Sequence, residues 1–582
     1  MRTTLASTQL WRRHREAIIL AAITALGAAL RLYANGSKSL WLDEAFSIWV
    51  GSQPLTEAWG WLIRVDQHPP LYYTLLHFWM AFGQTESVVR SFSALCGVLT
   101  LPVVYLIGRW LGGTLLGIVA VLILVISPFH VAFGQETRMY ALLTLNASLA
   151  IYFLIRLLQD PVAATQPIGV QFAAYWRAWR RSRQVARSEP DRPEEPATTG
   201  GRFGYREDVR RRGDLMAGAR AARLPPLNSM STDLSWLGYM LFTGLSVLTH
   251  NTAVFLPVAV NLFVFGLVLW ERLRQRRGFP SPGDEVGVSL TPRFVHNWLW
   301  AQFGAFLIWS PWLVAFVDQS IRVYEEFWIP KPTWRTVLAT WRDYNSMFQW
   351  DRVPLAWLWN GLLLLAVALG VLGFVRRRQA RWAVLLLLLW LVPWAGELLV
   401  SLKRPIFYTR TLIWASVPYY LLIAAGIRQL RYLPYQIVVV AVIVILNTTS
   451  LGTYYFAFQK EGWDQAAAYV ASKAEANDVI LFNATWVQIP FDYYFRRHNR
   501  PVEEHGVPVD LFDRGILEPK MRPEDLPRLR QLIRGRDRVW LVYSHDWYTD
   551  PQKLIPAALN EELARLDTRR FRGLQVLLYG VR

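Results

Sequence analysis

Hydrophobic residues in this chain come in long unbroken runs rather than in the short alternations of a soluble fold. Residues 355–375 form one such run, long enough as a helix to cross a hydrocarbon core of about 30 Å. Comparable runs lie at 17–33, 91–107, 114–126, 139–158, 234–249, 252–270 and 298–317, and later ones centre on Leu388, Val417 and Ile443. Together they predict about eleven helical spans. Some connections are tight, such as 108–113 with Arg109. The stretch at 35–87 is long, polar and Trp-rich, too irregular for a simple crossing.

From residue 458 the pattern changes. DQAAAYVASKA has the spacing of an amphipathic helix, DVILFNA of a strand, DLPRLRQLI of a helix, and DRVWLVYS and LQVLLYGV of strands. Short strands alternating with helices predict a small α/β domain at 458–582, after a membrane module at 1–457. It carries no glycine-rich phosphate loop, so nothing marks a nucleotide site.

Composition agrees with a membrane chain: 53% of the 582 residues are hydrophobic, and the 29 Trp suit a membrane interface. The formal net charge of +19 would raise nucleic acid as a partner in a soluble protein, but here the basic excess sits between spans. There it sets topology and meets anionic lipid, so nucleic acid is set aside. The single cysteine, Cys96, excludes an intrachain disulfide and reads as a small core residue. The N-terminal RRHR before the first run reads as the flank of an uncleaved first helix. Residues 159–233, with RSEPDRPEEPATTGGR at their centre, predict a basic, largely disordered insertion with a surface helix near 172–183.

Loop charge orients the chain. Starting with the N-terminus inside, the inner loops are RRHR, GRWLGG, the basic insertion, ERLRQRRGF, RRRQAR and RQLRY. The outer ones hold Asp43, Glu44, Asp66, Glu136, Asp318 and Glu325. The positive-inside rule then places the N-terminus in the cytoplasm and the C-terminal domain outside a plasma (inner) membrane. The basic exceptions outside are LKRP, with Lys403 and Arg404, and the nearby Arg410.

Five outer features carry candidate chemistry. SLWLDEAFS places Asp43 and Glu44 just after the first span; such a pair can take a proton from a hydroxyl or help hold a divalent cation, or simply cap a helix. RVDQHPPLYYTLLHFW puts His68 before a double proline, where it is either a phosphate or metal contact or a helix-start residue near water. FGQETRMYAL supplies Glu136 and Arg138, which also fit an interfacial salt bridge. LKRPIFYTRTL puts basic residues against the positive-inside bias, where Arg suits phosphate oxygens. His250 with Asn251 lies between two spans. All five fall on one side, and independent decoration would not segregate in that way.

The order SLWLDEAFS, HPPLYYTLLHFW, QETRMYAL and PIFYTR resembles the bacterial glycosyltransferase family 39 and 83 proteins, relatives of the dolichyl-phosphate-mannose protein mannosyltransferases and of the aminoarabinose transferase that modifies lipid A. The likeness covers about residues 15–460. It implies a GT-C fold, α-helical and polytopic, whose first outer loop forms helices along the membrane. It also implies an inverting transfer of a sugar from a polyprenyl-phosphate carrier to a hydroxyl acceptor, either lipid, glycan or protein. By the same resemblance Asp43 is the general base and Glu44 its support. His68, Arg138, Lys403, Arg404, Tyr408 and Arg410 would meet the donor phosphate, while Glu136, Tyr72, His250 and Asn251 would line the substrate cavity. Metal use varies among relatives; His68, His250 and Glu136 form no recognisable ligand spacing, so no metal or other cofactor is assigned and a divalent ion stays open. The arginine-rich insertion departs from the family pattern. A transporter or flippase is the rival reading, and a membrane scaffold with a partner-binding C-terminal domain a second. Polar motifs at one face, with no internal repeat, favour the enzyme.

Overall fold

A computed structural model describes residues 2–64, 66, 68–159, 165–188, 231–277, 292–322, 330–348, 354–511, 513 and 519–581. The centre of the expected insertion, 189–230, lies outside the described residues, as do Gln67 and Glu325. The helix expected near 172–183 is found as Val170–Ser188.

Eight described helices are long and apolar enough to cross a membrane, and a bent pair, Thr114–Ile126 with Pro128–Gly134, makes up to nine. The expected runs at 17–33 and 234–249 also fall on long helices, Arg2–Leu32 and Ser231–Thr249, which are not among those nine. Arg15, Glu16 and Arg31 dilute the first of these, and Asp233 with several Ser and Thr residues dilutes the second.

The bent pair has a clear local cause. Pro128 has no amide hydrogen to return to the Leu124 carbonyl, so the helix breaks at Ser127 and turns by 60°. Arg31 takes over the orphaned acceptors. Its buried guanidinium donates to Leu124 O at 3.3 Å and Val125 O at 3.4 Å. Gln135 then closes the end of the first helix, its amide donating to Arg31 O at 3.0 Å and Tyr33 O at 2.7 Å. The turn at 135–139, with Glu136 and Arg138, is fixed by these bonds.

The connection after the first helix folds into helices Leu42–Ser52, Leu55–Arg64 and Leu71–Trp79. Towards the C-terminus, five strands form one sheet: β1 (Val479–Asn483), β2 (Glu503–Gly506), β3 (Arg538–Ser544), β4 (Ala564–Phe571) and β5 (Leu574–Gly580). Their order is β2-β1-β3-β5-β4, parallel among the first three and antiparallel from β3 to β4. Every residue of β1 is buried, as both faces of a central parallel strand should be. Val479, Leu481, Val539, Leu541 and Leu577 form its core with Leu529 and Leu559 of flanking helices. A polytopic helical chain with a small C-terminal α/β sheet is the fold class the sequence predicted.

The described residues divide into two compact units. One comprises Met1–Ser148, Thr243–Phe265 and Ile308–Arg582; it holds the sheet and every candidate residue discussed below. In it the sheet region grips the 35–87 connection: Tyr494 Oη accepts from Leu40 N at 2.8 Å, Arg497 pairs with Glu86 at 3.0 Å, and the Trp486 and Phe46 rings meet at 5.2 Å. The other unit comprises Leu149–Phe242 and Gly266–Leu307. There the Asp233 carboxylate accepts from Gly169 N and Phe172 N, tying helix Val170–Ser188 to the start of helix Ser231–Thr249.

Candidate functional site

Helix Leu42–Ser52 begins after Trp41 with Asp43 and Glu44 in its first turn, where acids meet the positive end of the helix dipole. Neighbours on a helix point about 100° apart, so two adjacent carboxylates reach different surroundings. Glu44 turns inward and is 0% exposed. Arg90 grips it with two bonds of 2.8 Å, from Nε to Oε1 and Nη2 to Oε2. Thr137 N donates to Oε1 at 2.9 Å and Lys460 Nζ to Oε2 at 2.8 Å. Asp43 points the other way, its side chain 26% exposed. Arg410 Nη1 stands 2.9 Å from its Oδ2, an ion pair rather than an aligned hydrogen bond, and Arg138 Nη2 is 4.0 Å away.

Arg138 is the hub between connections. Its Nη1 donates to Asp43 O, Ser47 Oγ and Tyr73 Oη, each at 3.3 Å, and its Nη2 faces His68 Nε2 at 3.5 Å. His68 Nδ1 in turn stands 2.9 Å from Asp66 Oδ1. Tyr73 Oη donates to Asp66 Oδ2, also at 2.9 Å. The His250 ring packs edge-on to His68 at 5.4 Å and tilted to Tyr140 at 6.0 Å. Arg410 is framed by Tyr408, Trp41 and Tyr140, with ring centres 4.7, 5.1 and 5.6 Å from its guanidinium carbon.

Charge sorts the acids. Burial pushes Glu44 up, but Arg90 and Lys460 outweigh it and hold the carboxyl at about 2. Burial likewise raises Asp43, and Arg410, Arg138 and His68 together bring it below the ordinary value. Glu136 goes the other way: burial dominates, the Glu44 charge adds to it, and Lys460 at 3.3 Å offsets only part. Burial, with His68, Arg138 and Arg410 nearby, drops His250 well below its usual range. The outcome is two fixed carboxylates, one acid displaced upward and a histidine that resists charging.

Of the residues singled out by sequence, Asp43, Glu44, His68, Glu136, Arg138, His250, Tyr408 and Arg410 come together here. Tyr72 does not: its hydroxyl is buried against Ser93 at 3.1 Å, and its neighbour Tyr73 takes the place at the site. Lys403 is exposed, and Arg404 donates instead to Ser320 O at 2.9 Å and Gln319 O at 3.4 Å. Asn251 opens the helical turn after His250, and it is the Thr252 amide that donates to His250 Nδ1, at 3.2 Å. Sequence reasoning did not pick out Arg90, Tyr73 or Lys460, and named Asp66 only as an outer-loop acid. Arg90, an ionisable residue just ahead of the apolar run at 91–107 and within the spanning helix Glu86–Gly112, was the one with a readable signal. Among the described residues no three His, Cys, Asp or Glu side chains are grouped to hold a metal ion.

Residues 67–171, which include the HPPLYYTLLHFW and QETRMYAL segments, match the family model described as Dolichyl-phosphate-mannose-protein mannosyltransferase. The resemblance to the GT-C glycosyltransferases is borne out. No curated protein matches the sequence. Among solved structures, ArnT from Cupriavidus metallidurans is similar at 13% identity over 96% of this chain and 97% of that one, with a TM-score of 0.43. The Archaeoglobus fulgidus oligosaccharyltransferase is similar at 11% identity over 95% of this chain and 73% of its own, with a TM-score of 0.48. The Saccharomyces cerevisiae Pmt1-Pmt2 protein O-mannosyltransferase reaches 15% identity over 53% of this chain and 33% of that one, with a TM-score of 0.29.

Proposed function

We propose that this chain is an inverting glycosyltransferase that moves a sugar from a polyprenyl monophosphate to a hydroxyl acceptor, at the outer face of the plasma membrane. The carrying observation is the contact between Asp43 and Arg410: a partly exposed carboxylate held 2.9 Å from a buried guanidinium. One suits a proton in flight and the other a phosphate, and both are needed at the same atom pair.

At rest Arg410 neutralises Asp43. An arriving donor phosphate competes for the guanidinium, and as that cation turns to the phosphate the Asp43 carboxylate regains basicity. The acceptor oxygen then bonds to the anomeric carbon and gives its proton to Asp43. The bond from that carbon to the phosphate oxygen breaks, its electron pair staying on the phosphate, where Arg410 stabilises the charge. Arg138 holds the Asp43 backbone, Tyr73 and His68 in register. Glu44, saturated by Arg90, Thr137 and Lys460, anchors the helix start rather than touching substrate. Glu136 Oε2, buried without a partner, is left to accept from a sugar hydroxyl. Arg410, with Tyr408 beside it, carries the phosphate role, and Lys403 and Arg404 have none in this reading.

The test is mass spectrometry of envelope glycolipids and glycans from a deletion strain carrying either the wild-type chain or Asp43→Asn. A sugar-bearing species should vanish on deletion and return only with the wild type. Its return with Asp43→Asn overturns the base assignment, and an unchanged envelope on deletion overturns the transferase reading.

A further inference from the structure

Helix Ala380–Ser401 carries one acid, Glu397, which follows a long apolar run and is 0% exposed near the C-terminal end. A carboxylate in such surroundings is expensive unless a cation faces it. Among the described residues no Lys, Arg or His forms an ion pair with Glu397. Its Oε2 accepts from Thr411 Oγ1 at 2.8 Å, and the Tyr408 amide and the Thr252 hydroxyl also face the carboxyl group.

The Thr411 oxygen also lies 2.6 Å from the Tyr408 carbonyl oxygen, so Glu397, Thr411 and Tyr408 form one hydrogen-bonded cluster.

What this chain of bonds holds is the segment that carries Arg410. Ser401, four residues along the same helix face, accepts from Ile406 N at 3.0 Å and Phe407 N at 2.9 Å. Glu397 and Ser401 thus fasten residues 406–411 at both ends, with Tyr408 and Arg410 between the fastenings. We infer that Glu397 is a positioning residue that fixes the Arg410 segment for the donor phosphate. The inference rests on the phosphate role proposed above for Arg410.

It is tested with purified full-length protein and undecaprenyl phosphate as the probe. Glu397→Gln keeps an oxygen that accepts from Thr411 and should leave the Kd within about two-fold, whereas Glu397→Ala, having none, should raise it about ten-fold. Thr411→Val removes the donor of the same bond with little change in volume, and should match Glu397→Ala even if that variant fails to fold. Weak binding by Glu397→Gln or wild-type binding by Thr411→Val each overturns the inference. Arg410→Ala separates the two readings. Wild-type binding there refutes the phosphate role itself, while weak binding there with wild-type binding by Thr411→Val refutes only the part given to Glu397.

Discussion

Replacing Arg90 by Gln removes the bidentate partner of a carboxylate that is 0% exposed. Glu44 sits at about 2 in the folded protein against an ordinary 4.5, a difference that corresponds to about 3 kcal/mol. Stripping one partner from a buried ion pair typically costs about 3–5 kcal/mol, and the retained Lys460 contact places this case near the lower end. The folded value lies below the ordinary one, so the stabilisation is complete above pH 4.5 and drains away as pH falls towards about 2. Fluorescence-detected size-exclusion of purified protein, after heating at neutral pH and after acid incubation, reads both effects. Arg90→Gln should lower the thermal midpoint and, by removing the main cause of the depressed value, shift acid unfolding to higher pH. Arg90→Met combined with Glu44→Met should recover part of the loss, because no unpaired charge then stays buried. An Arg90→Gln protein with the wild-type midpoint and acid profile would refute the anchoring role of this pair.

Further outcomes follow from the same contacts. Lys460→Met takes the shared cation from Glu44 and Glu136, and transfer in a membrane assay should fall at least about ten-fold while the chain stays folded. Tyr73→Phe loses its bonds to Asp66 and Arg138 and should cut transfer, whereas Tyr72→Phe, losing only its bond to Ser93, should cost about 1 kcal/mol in thermal stability and leave transfer intact. Arg31→Met leaves the carbonyls at the helix break without a donor and should destabilise by about 1–3 kcal/mol, with carrier affinity unchanged.

Much of this molecule is legible from its sequence because hydrocarbon imposes one length and one composition on whatever crosses it. The runs at 91–107, 252–270 and 355–375 read directly as helices. Strands β1, β3 and β5 announce themselves as apolar runs, but β4, with the sequence ARLDTRRF, is an exposed edge strand with no buried alternation to read. At the site, motifs found the acids and most of the arginines that face each other. They could not find which member of an adjacent pair faces the cavity. That choice depends on helix phase against distant elements: the family resemblance chose Asp43 over Glu44, but it was Tyr72 and not Tyr73 that was singled out. Nor could they find Arg90 and Lys460, whose bonds to Glu44 span 46 and 416 residues of chain. Nothing local to EGW after the last span marks its preceding lysine as a site residue.

The central claim is that Asp43 takes the acceptor proton while Arg410 takes the phosphate. The most direct measurement compares wild type and Asp43→Asn in membranes, following sugar transfer from the polyprenyl-linked donor alongside undecaprenyl phosphate binding. Asp43→Asn should lose about 10²- to 10⁴-fold in transfer while binding the carrier at least as tightly as wild type, because Arg410 is released from its carboxylate. Transfer at the wild-type rate, or a loss of carrier binding that accounts for the whole defect, would contradict it.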